Sequence, residues 1–298
     1  MGATGDARGP VTAWRPAVPG IAEVLHARLR DHAYPAHVHD TWTVLLVDGG
    51  RVDFGLDRAR HGADPTAGVV LLPPGVVHDG RTVTPAGFRK RVLYLDAPAL
   101  PTELTGSSAR TPLIPDLPLR TRLAALHTLL DPPNSPDSPG SPDSPGAVAV
   151  PEALEAESRL AFLVERIRER YAALPADRPD PRRLDPLADR LRELLDARLA
   201  DGLPLAEAAT LLAGDTGRPL HPTHLIRAFR RIHGMPPHQW LTGRRIEAAR
   251  RLLLAGRPPA QVAAEVGFHD QAHLTRHFRI RVGTTPARYA RSHARARG

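Results

Sequence analysis

Between residues 21 and 96 the apolar positions come in short runs, TVLLV, VVLLP and RVLYL, separated by clusters of Gly, Asp and Pro. That spacing predicts several short strands joined by turns. Residues 117–130 (LPLRTRLAALHTLL) and 152–173 instead repeat apolar positions at helical spacing. In the second of these segments Leu160, Leu163, Val164 and Ile167 make one stripe, which must be covered either by the strand-rich part or by a second subunit. Between the two, residues 132–146 read PPNSPDSPGSPDSPG, with the hexapeptide SPDSPG twice and no apolar residue to bury. Such a stretch is a linker that stays extended and mobile. From Leu184 onward only helical periods remain, interrupted at Gly202, 213–221, 233–237, 255–259 and 267–270, which divides the region into six or seven helices. The expected class is therefore an α+β multidomain chain. A β-barrel occupies 1–100, a helical extension 101–131, a disordered linker 132–150 and a helical interdomain or dimerisation segment 151–180. An all-α domain follows over 181–298.

A shift of 49 residues superimposes the C-terminal region on itself. His221 falls on Asp270, Leu225 on Leu274, Phe229 on Phe278, Gly234 on Gly283, Pro237 on Pro286 and Trp240 on Tyr289. Each copy has a small-residue helix (Ala206, Ala208, Ala209; then Val262, Ala263, Val266), a turn, and a second helix with apolar residues four apart. This is the layout of a helix-turn-helix, present twice. Asp270 suits an N-cap and Pro222 a first helical position, while Leu225 with Phe229, and Leu274 with Phe278, fall on one face. Thr223, Arg227 and Arg230 then occupy the opposite face in the first copy, and Ala272, Arg276 and Arg279 in the second. An arginine mid-face in both copies is what base reading in a major groove needs, because guanidinium pairs bidentately with guanine. Pro222, Ile226, Gln271 and Thr275 are placed beside these arginines to touch adjacent bases or phosphates. Residues 238–255 between the copies predict a helix about 27 Å long, able to hold two reading heads about one DNA turn apart. Its Arg244, Arg245, Arg250 and Arg251 read mainly as solvated charge.

Charge agrees with that reading. Lys90 is the sole lysine, and residues 221–298 carry fifteen arginines against three acids, whereas residues 1–220 carry an acidic excess. A compact basic region above an acidic remainder is the footprint of a polyanion partner, here double-stranded DNA. The chain has no cysteine, which excludes disulfides and thiolate chemistry, and no apolar run long enough to span a membrane. With no signal-like N-terminus, a cytoplasmic location and no membrane partner are expected.

The stretch RRIEAARRLLLAGRPPAQVAAEVGFHDQAHLTRHFRIRVGTTPARYAR resembles the second half of the AraC/XylS-type DNA-binding domain, through Ala263, Gly267, Phe268, Asp270, Arg276, Phe278, Gly283, Thr285, Pro286 and Tyr289. The resemblance covers about residues 184–298. It implies a seven-helix, two-headed transcription regulator with base contacts at Thr223, Ile226, Arg227, Gln271, Ala272, Thr275 and Arg276. The first copy departs from the pattern: about five residues are inserted in its turn around GDTGRP, and His221 replaces the usual Ser-like cap.

His37, His39 and His78 are the second constellation. His37 and His39 alternate on one strand and so share a face, and His78 follows a proline turn in LLPPGVVHDG. HVHDTW, Gly68 and LLPPGVVHDG resemble the cupin-like domain that precedes AraC-type DNA-binding domains. The resemblance implies a small-molecule effector, a likeness that extends over about residues 20–96. Three imidazoles could converge on a metal. Enzymatic cupins, however, add a glutamate soon after the second histidine, and none occurs between His39 and Glu103. The expectation is thus an effector pocket using His37, His39, Trp42 and His78, with Tyr94 and Arg91 as further lining, no metal, no cofactor and no catalytic residue. A metal-dependent cupin enzyme with a DNA-binding tail is the alternative. A homodimer and RNA polymerase are the candidate protein partners.

Overall fold

The computed structural model describes residues 11–132, 150–174, 185–216 and 220–297. The linker expected over 132–150 falls almost wholly outside the described residues, as does part of the enlarged turn, 217–219.

The N-terminal part is built from two antiparallel sheets. One contains β1 (Val11–Trp14), β2 (Ile21–Leu29), β4 (Trp42–Gly49), β7 (Val69–Leu72), β9 (Phe88–Leu95) and β10 (Leu113–Ile114), in the order β1-β2-β9-β4-β7-β10. The other contains β3 (Ala33–His37), β5 (Val52–Leu56), β6 (Ala59–Ala63) and β8 (His78–Thr82), in the order β3-β8-β5-β6. The three apolar runs seen in the sequence are the adjacent strands β4, β7 and β9, paired so that Val44 faces both Leu71 and Leu93. Both faces of these strands are buried, which is why their runs are continuous rather than alternating. Val44, Leu46, Leu71, Leu93 and Leu95 point outward into a core shared with two helices, α2 (Leu117–Leu130) and α3 (Val150–Ala172). Leu45, Val70, Leu72, Val92 and Tyr94 point inward.

The stripe on α3 is covered by the barrel: Leu160, Leu163 and Ile167 are buried with Trp14, Leu123 and Leu126. Between barrel and stripe, α1 (Leu104–Arg110) leads into β10, so the segment expected to be a purely helical extension also supplies an edge strand to β7.

Seven helices follow among the described residues: α4 (Pro186–Ala197), α5 (Leu205–Thr216), α6 (Pro222–His233), α7 (Pro237–Leu254), α8 (Pro259–Glu265), α9 (Gln271–Val282) and α10 (Pro286–Arg297). Their ends follow the sequence. Asp185 and Asp270 accept from Leu187 N and His273 N, and the His221 ring accepts from Thr223 N. Gly234 and Gly283 end α6 and α9 at φ 71° and 85°, where glycine alone is unstrained. The inserted residues lengthen α5, which has 12 residues where its counterpart α8 has 7.

The two halves are packed together. Ser292 on α10 exchanges hydrogen bonds of 3.0 Å with both the N–H and the carbonyl of Ala13, covering the β1 edge. One core cluster runs from Leu25, Phe54 and Val92 in the barrel to Ile246, Leu253, Phe278 and Tyr289 in the helices.

Candidate functional site

Two regions bring the candidate residues together. On α9, Phe278 and Leu274 are fully buried, which turns Gln271, Ala272, Arg276 and Arg279 to solvent, with Thr275 half-buried. Gln271, Ala272, Thr275, Arg276 and Arg279 line one surface groove together with Ile280, an exposed residue not anticipated from the sequence. On α6, Leu225 and Phe229 are buried in the same way; Thr223, Arg227 and Arg230 are exposed, and Pro222 and Ile226 half-buried.

The arginines divide by role. No ion pair joins Arg227, Arg230, Arg276 or Arg279 to an acidic group among the described residues. Those of α7 are engaged in structure: Arg245 donates to the carbonyls of Leu199 and Ala200, Arg244 pairs with Asp196 and Asp40, and Arg251 also pairs with Asp40. Arg250 is 4% exposed. The reading of the α7 arginines as solvated charge is therefore corrected for Arg250, which is buried, and for Arg244 and Arg245, which are half-buried against their partners, while Arg251 stays exposed.

The second region is a cavity inside the barrel, lined by the inward residues of β4, β7 and β9, by His37, His39 and His78, and by Gly243, Ile246, Glu247 and Arg250 of α7. His37 and His78 are register partners across β3 and β8, and His39 follows two residues later on the same face. Their ring centroids lie 4.3 to 5.0 Å apart. Burial, reinforced by the neighbouring imidazoles, lowers His37 well below its ordinary pKa and His78 to about 3, so both are neutral at physiological pH.

Trp42 does not join this set. Its indole is fully buried on the outward face of β4 and donates to the Ala97 carbonyl, because alternation along the strand gives the cavity Thr43 and Leu45 instead. Arg91, on the outward face of β9, is held by Asp48, whereas Tyr94 does line the cavity.

A charged cluster seals the α7 side. Arg250 lies 2.9 Å from Glu23 of β2 and 2.8 Å from Glu247, its Nε donates to the Tyr289 hydroxyl at 3.2 Å, and its guanidinium stacks 4.3 Å from the Tyr94 ring. Glu247 in turn is 3.1 Å from His39 Nδ1. Burial alone would raise Glu247, but the charge of Arg250 and the contact with His39 outweigh it and hold the carboxyl well below its usual range. For Glu23 burial prevails over Arg250, and its pKa is raised. Lys90, its Nζ 4.3 Å from the centroid of the Tyr34 ring, is lowered by burial and by Arg250 to about 7. Neither Glu247, Arg250 and Lys90 at the cavity nor Glu23 behind Arg250 was expected from the sequence. A signal existed for two of them: Glu247 and Arg250 fall on the same helical face as Ile246, Ala249 and Leu253.

Residues 20–160 match the AraC-like ligand binding domain, and residues 218–292 match a helix-turn-helix domain. Among curated proteins, the chain is 31% identical over 100 residues to the virulence regulon transcriptional activator VirF of Yersinia enterocolitica, which is 33% of this chain and 35% of that protein. The chain thus spans about a third of the length of that relative. It is 25% identical over 262 residues to the HTH-type transcriptional regulator YbfI of Bacillus subtilis, covering 81% of each. Among solved structures, an apo variant of ToxT from Vibrio cholerae shares the fold over 95% of this chain and 96% of its own, with a TM-score of 0.55 and 11% identity.

A barrel of the ligand-binding type, packed against two helix-turn-helix units, defines the class of two-domain helix-turn-helix regulators. Within that class the chain matches the AraC-like ligand binding domain over residues 20–160 and is similar to the AraC family of transcription regulators. No helix among the described residues is long and apolar enough to cross a membrane.

Proposed function

We propose that the chain is a sequence-specific regulator of transcription that binds double-stranded DNA through α6 and α9, its grip set by a small-molecule effector in the barrel cavity. The α9 face carries this reading. Arg276 and Arg279 stand exposed beside a groove with Gln271, Ala272 and Thr275, free of acidic partners among the described residues and so able to meet guanine edges and phosphates. Effector control is supported by the shared wall: Gly243, Ile246, Glu247 and Arg250 of α7 line the same cavity as the three barrel histidines. A molecule seated there touches the helix that joins the reading heads.

The chain acts by binding rather than catalysis, in the cytoplasm where its DNA lies. A second copy is its proposed protein partner, since Leu154 and Phe162 on α3 are 65% and 66% exposed. RNA polymerase is the proposed recipient of the signal.

The test is Arg276→Ala on DNA fragments selected in vitro with the full chain. Affinity for the selected site falls by about 1–3 kcal/mol while affinity for random DNA changes little. An equal loss on both would make the chain an unspecific DNA binder.

A further inference from the structure

The three barrel histidines are arranged more stringently than an organic pocket requires. In each ring Nδ1 already has an acceptor: His37 Nδ1 is 2.8 Å from the Pro35 carbonyl, His78 Nδ1 is 3.0 Å from the Val76 carbonyl, and His39 Nδ1 is 3.1 Å from Glu247 Oε1. His39 Nδ1 stands between Glu247 Oε1 at 3.1 Å and Arg250 Nη1 at 3.4 Å, and the nearer carboxylate, which can only accept, favours the tautomer with the proton on Nδ1. Donation to carbonyls from Nδ1 leaves Nε2 of His37 and His78 as lone pairs, and the His39 tautomer that donates from Nδ1 to Glu247 leaves its Nε2 in the same state. One ring nitrogen of each residue lies within 4.8 Å of the other two.

Three converging lone pairs repel one another and call for a cation. The outer partners of the rings are also in place, since ligating histidines ordinarily donate their other N–H to a carbonyl or carboxylate, which fixes the tautomer and raises the basicity of the ligand. Metal–nitrogen bonds of about 2.0–2.1 Å place three tetrahedral ligand atoms about 3.3 Å apart, a closure that small side-chain rotations supply.

We propose that His37, His39 and His78 bind one divalent transition-metal ion of the imidazole-preferring kind (zinc, nickel, cobalt or iron), and that Glu247 transmits its occupancy to the DNA-binding domain. Three neutral nitrogen donors, with no thiolate in the chain, suit these ions rather than magnesium or calcium. The fourth coordination position opens on the cavity, where water or an oxygen-bearing effector completes the coordination. Glu247 does not touch the ion. It holds the outer nitrogen of a ligand, and because it stands on α7 the site spans both domains. A bound cation makes the His39 N–H a stronger donor, which tightens the bond to Glu247 and with it the seat of α7 against the barrel. The transmitting role rests on the regulatory reading above; the metal site does not.

The test uses the full-length chain freed of metal by chelation and titrated with Co(II), read by its visible ligand-field bands, and with Zn(II) in competition. One equivalent binds. His37→Ala and His78→Ala each abolish the bands, and Glu247→Gln weakens binding about 10–100-fold. His273→Ala with His277→Ala removes an unrelated imidazole pair on α9 and leaves the bands in place. If no ion binds the wild-type chain, or the His37 and His78 variants bind as it does, the metal site is overturned. Should those variants fail to fold, nitrogen NMR of the wild-type chain decides: Zn(II) must shift the Nε2 resonances of three imidazoles, and unshifted rings overturn the site. The second arm measures affinity for a DNA fragment selected in vitro, with and without saturating Zn(II). A several-fold change in the wild type that disappears in Glu247→Gln is expected. Equal affinities in the wild type overturn the role of Glu247 and leave the metal site standing, whereas failure to select any DNA fragment overturns the regulatory reading alone.

Discussion

The Arg250 guanidinium lies 2.9 Å from the Glu23 carboxylate, so a cation of the DNA-reading half is neutralised by an anion of the barrel, with each side chain at most 7% exposed. The contact is an ion pair without hydrogen-bond alignment, and a second carboxylate, Glu247, supplies the aligned bond at 2.8 Å.

Arg250→Met keeps the volume but strands both carboxylates. The expected loss is about 3–5 kcal/mol in urea unfolding at neutral pH, because the cost is that of buried charge without a partner. The loss shrinks on acidification, since Glu23 is already raised and takes up a proton readily. A loss below about 1 kcal/mol would mean that water reaches the cluster.

His127 on α2 sets a pH dependence of its own. It is fully buried beneath His26, whose Nε2 is 3.1 Å from His127 Nδ1; Asp131 lies on the far side of His26, and Arg91 is nearby. Burial first, then the charges of His26 and Arg91, keep its pKa well below 6.5. The folded ring is neutral, while the unfolded one gains a proton as pH falls through about 6.5. Its contribution to stability is therefore complete above that pH and is lost on acidification below it. His127→Leu makes the fall in stability between about pH 6.5 and 5 shallower, by up to about 1.4 kcal/mol per pH unit. Denaturant midpoints at several pH values measure it, and an unchanged slope would place the acid sensitivity elsewhere.

Arg279→Ala and Arg245→Ala separate contact from scaffold. Arg279 is exposed beside the α9 groove, and its loss should lower the slope of log affinity against log salt by about 1. Arg245 donates to the carbonyls of Leu199 and Ala200, so its removal lowers the melting temperature and leaves the salt slope alone. Reversed results would exchange the two roles.

The helical half was legible because its signals are local. Asp270, Pro222, Gly234 and Gly283 each do at a helix end what their residue type does anywhere, and a buried pair four apart fixes the exposed face of α6 and of α9 without reference to the rest of the fold. The barrel was less legible. In TVLLV both faces are buried, so periodicity could not say whether Trp42 or Thr43 looks inward, and the larger, more pocket-like residue turned out to face α2 and α3. No glutamate follows His39 before Glu103 in the sequence, and the one that meets it, Glu247, arrives from a helix of the other domain, a pairing that no spacing rule reaches. Arg250 read as solvent-facing by type, although its helical phase, shared with Glu247, placed it inward.

Helix α7 is at once a wall of the cavity and the bar between the two reading heads. On the proposed reading, the element that touches the effector and the element that spaces the two heads are the same helix. Substitutions selected for an altered response to the effector and substitutions selected for altered operator spacing will therefore fall on the same few turns, and a genetic screen will not find one class without the other.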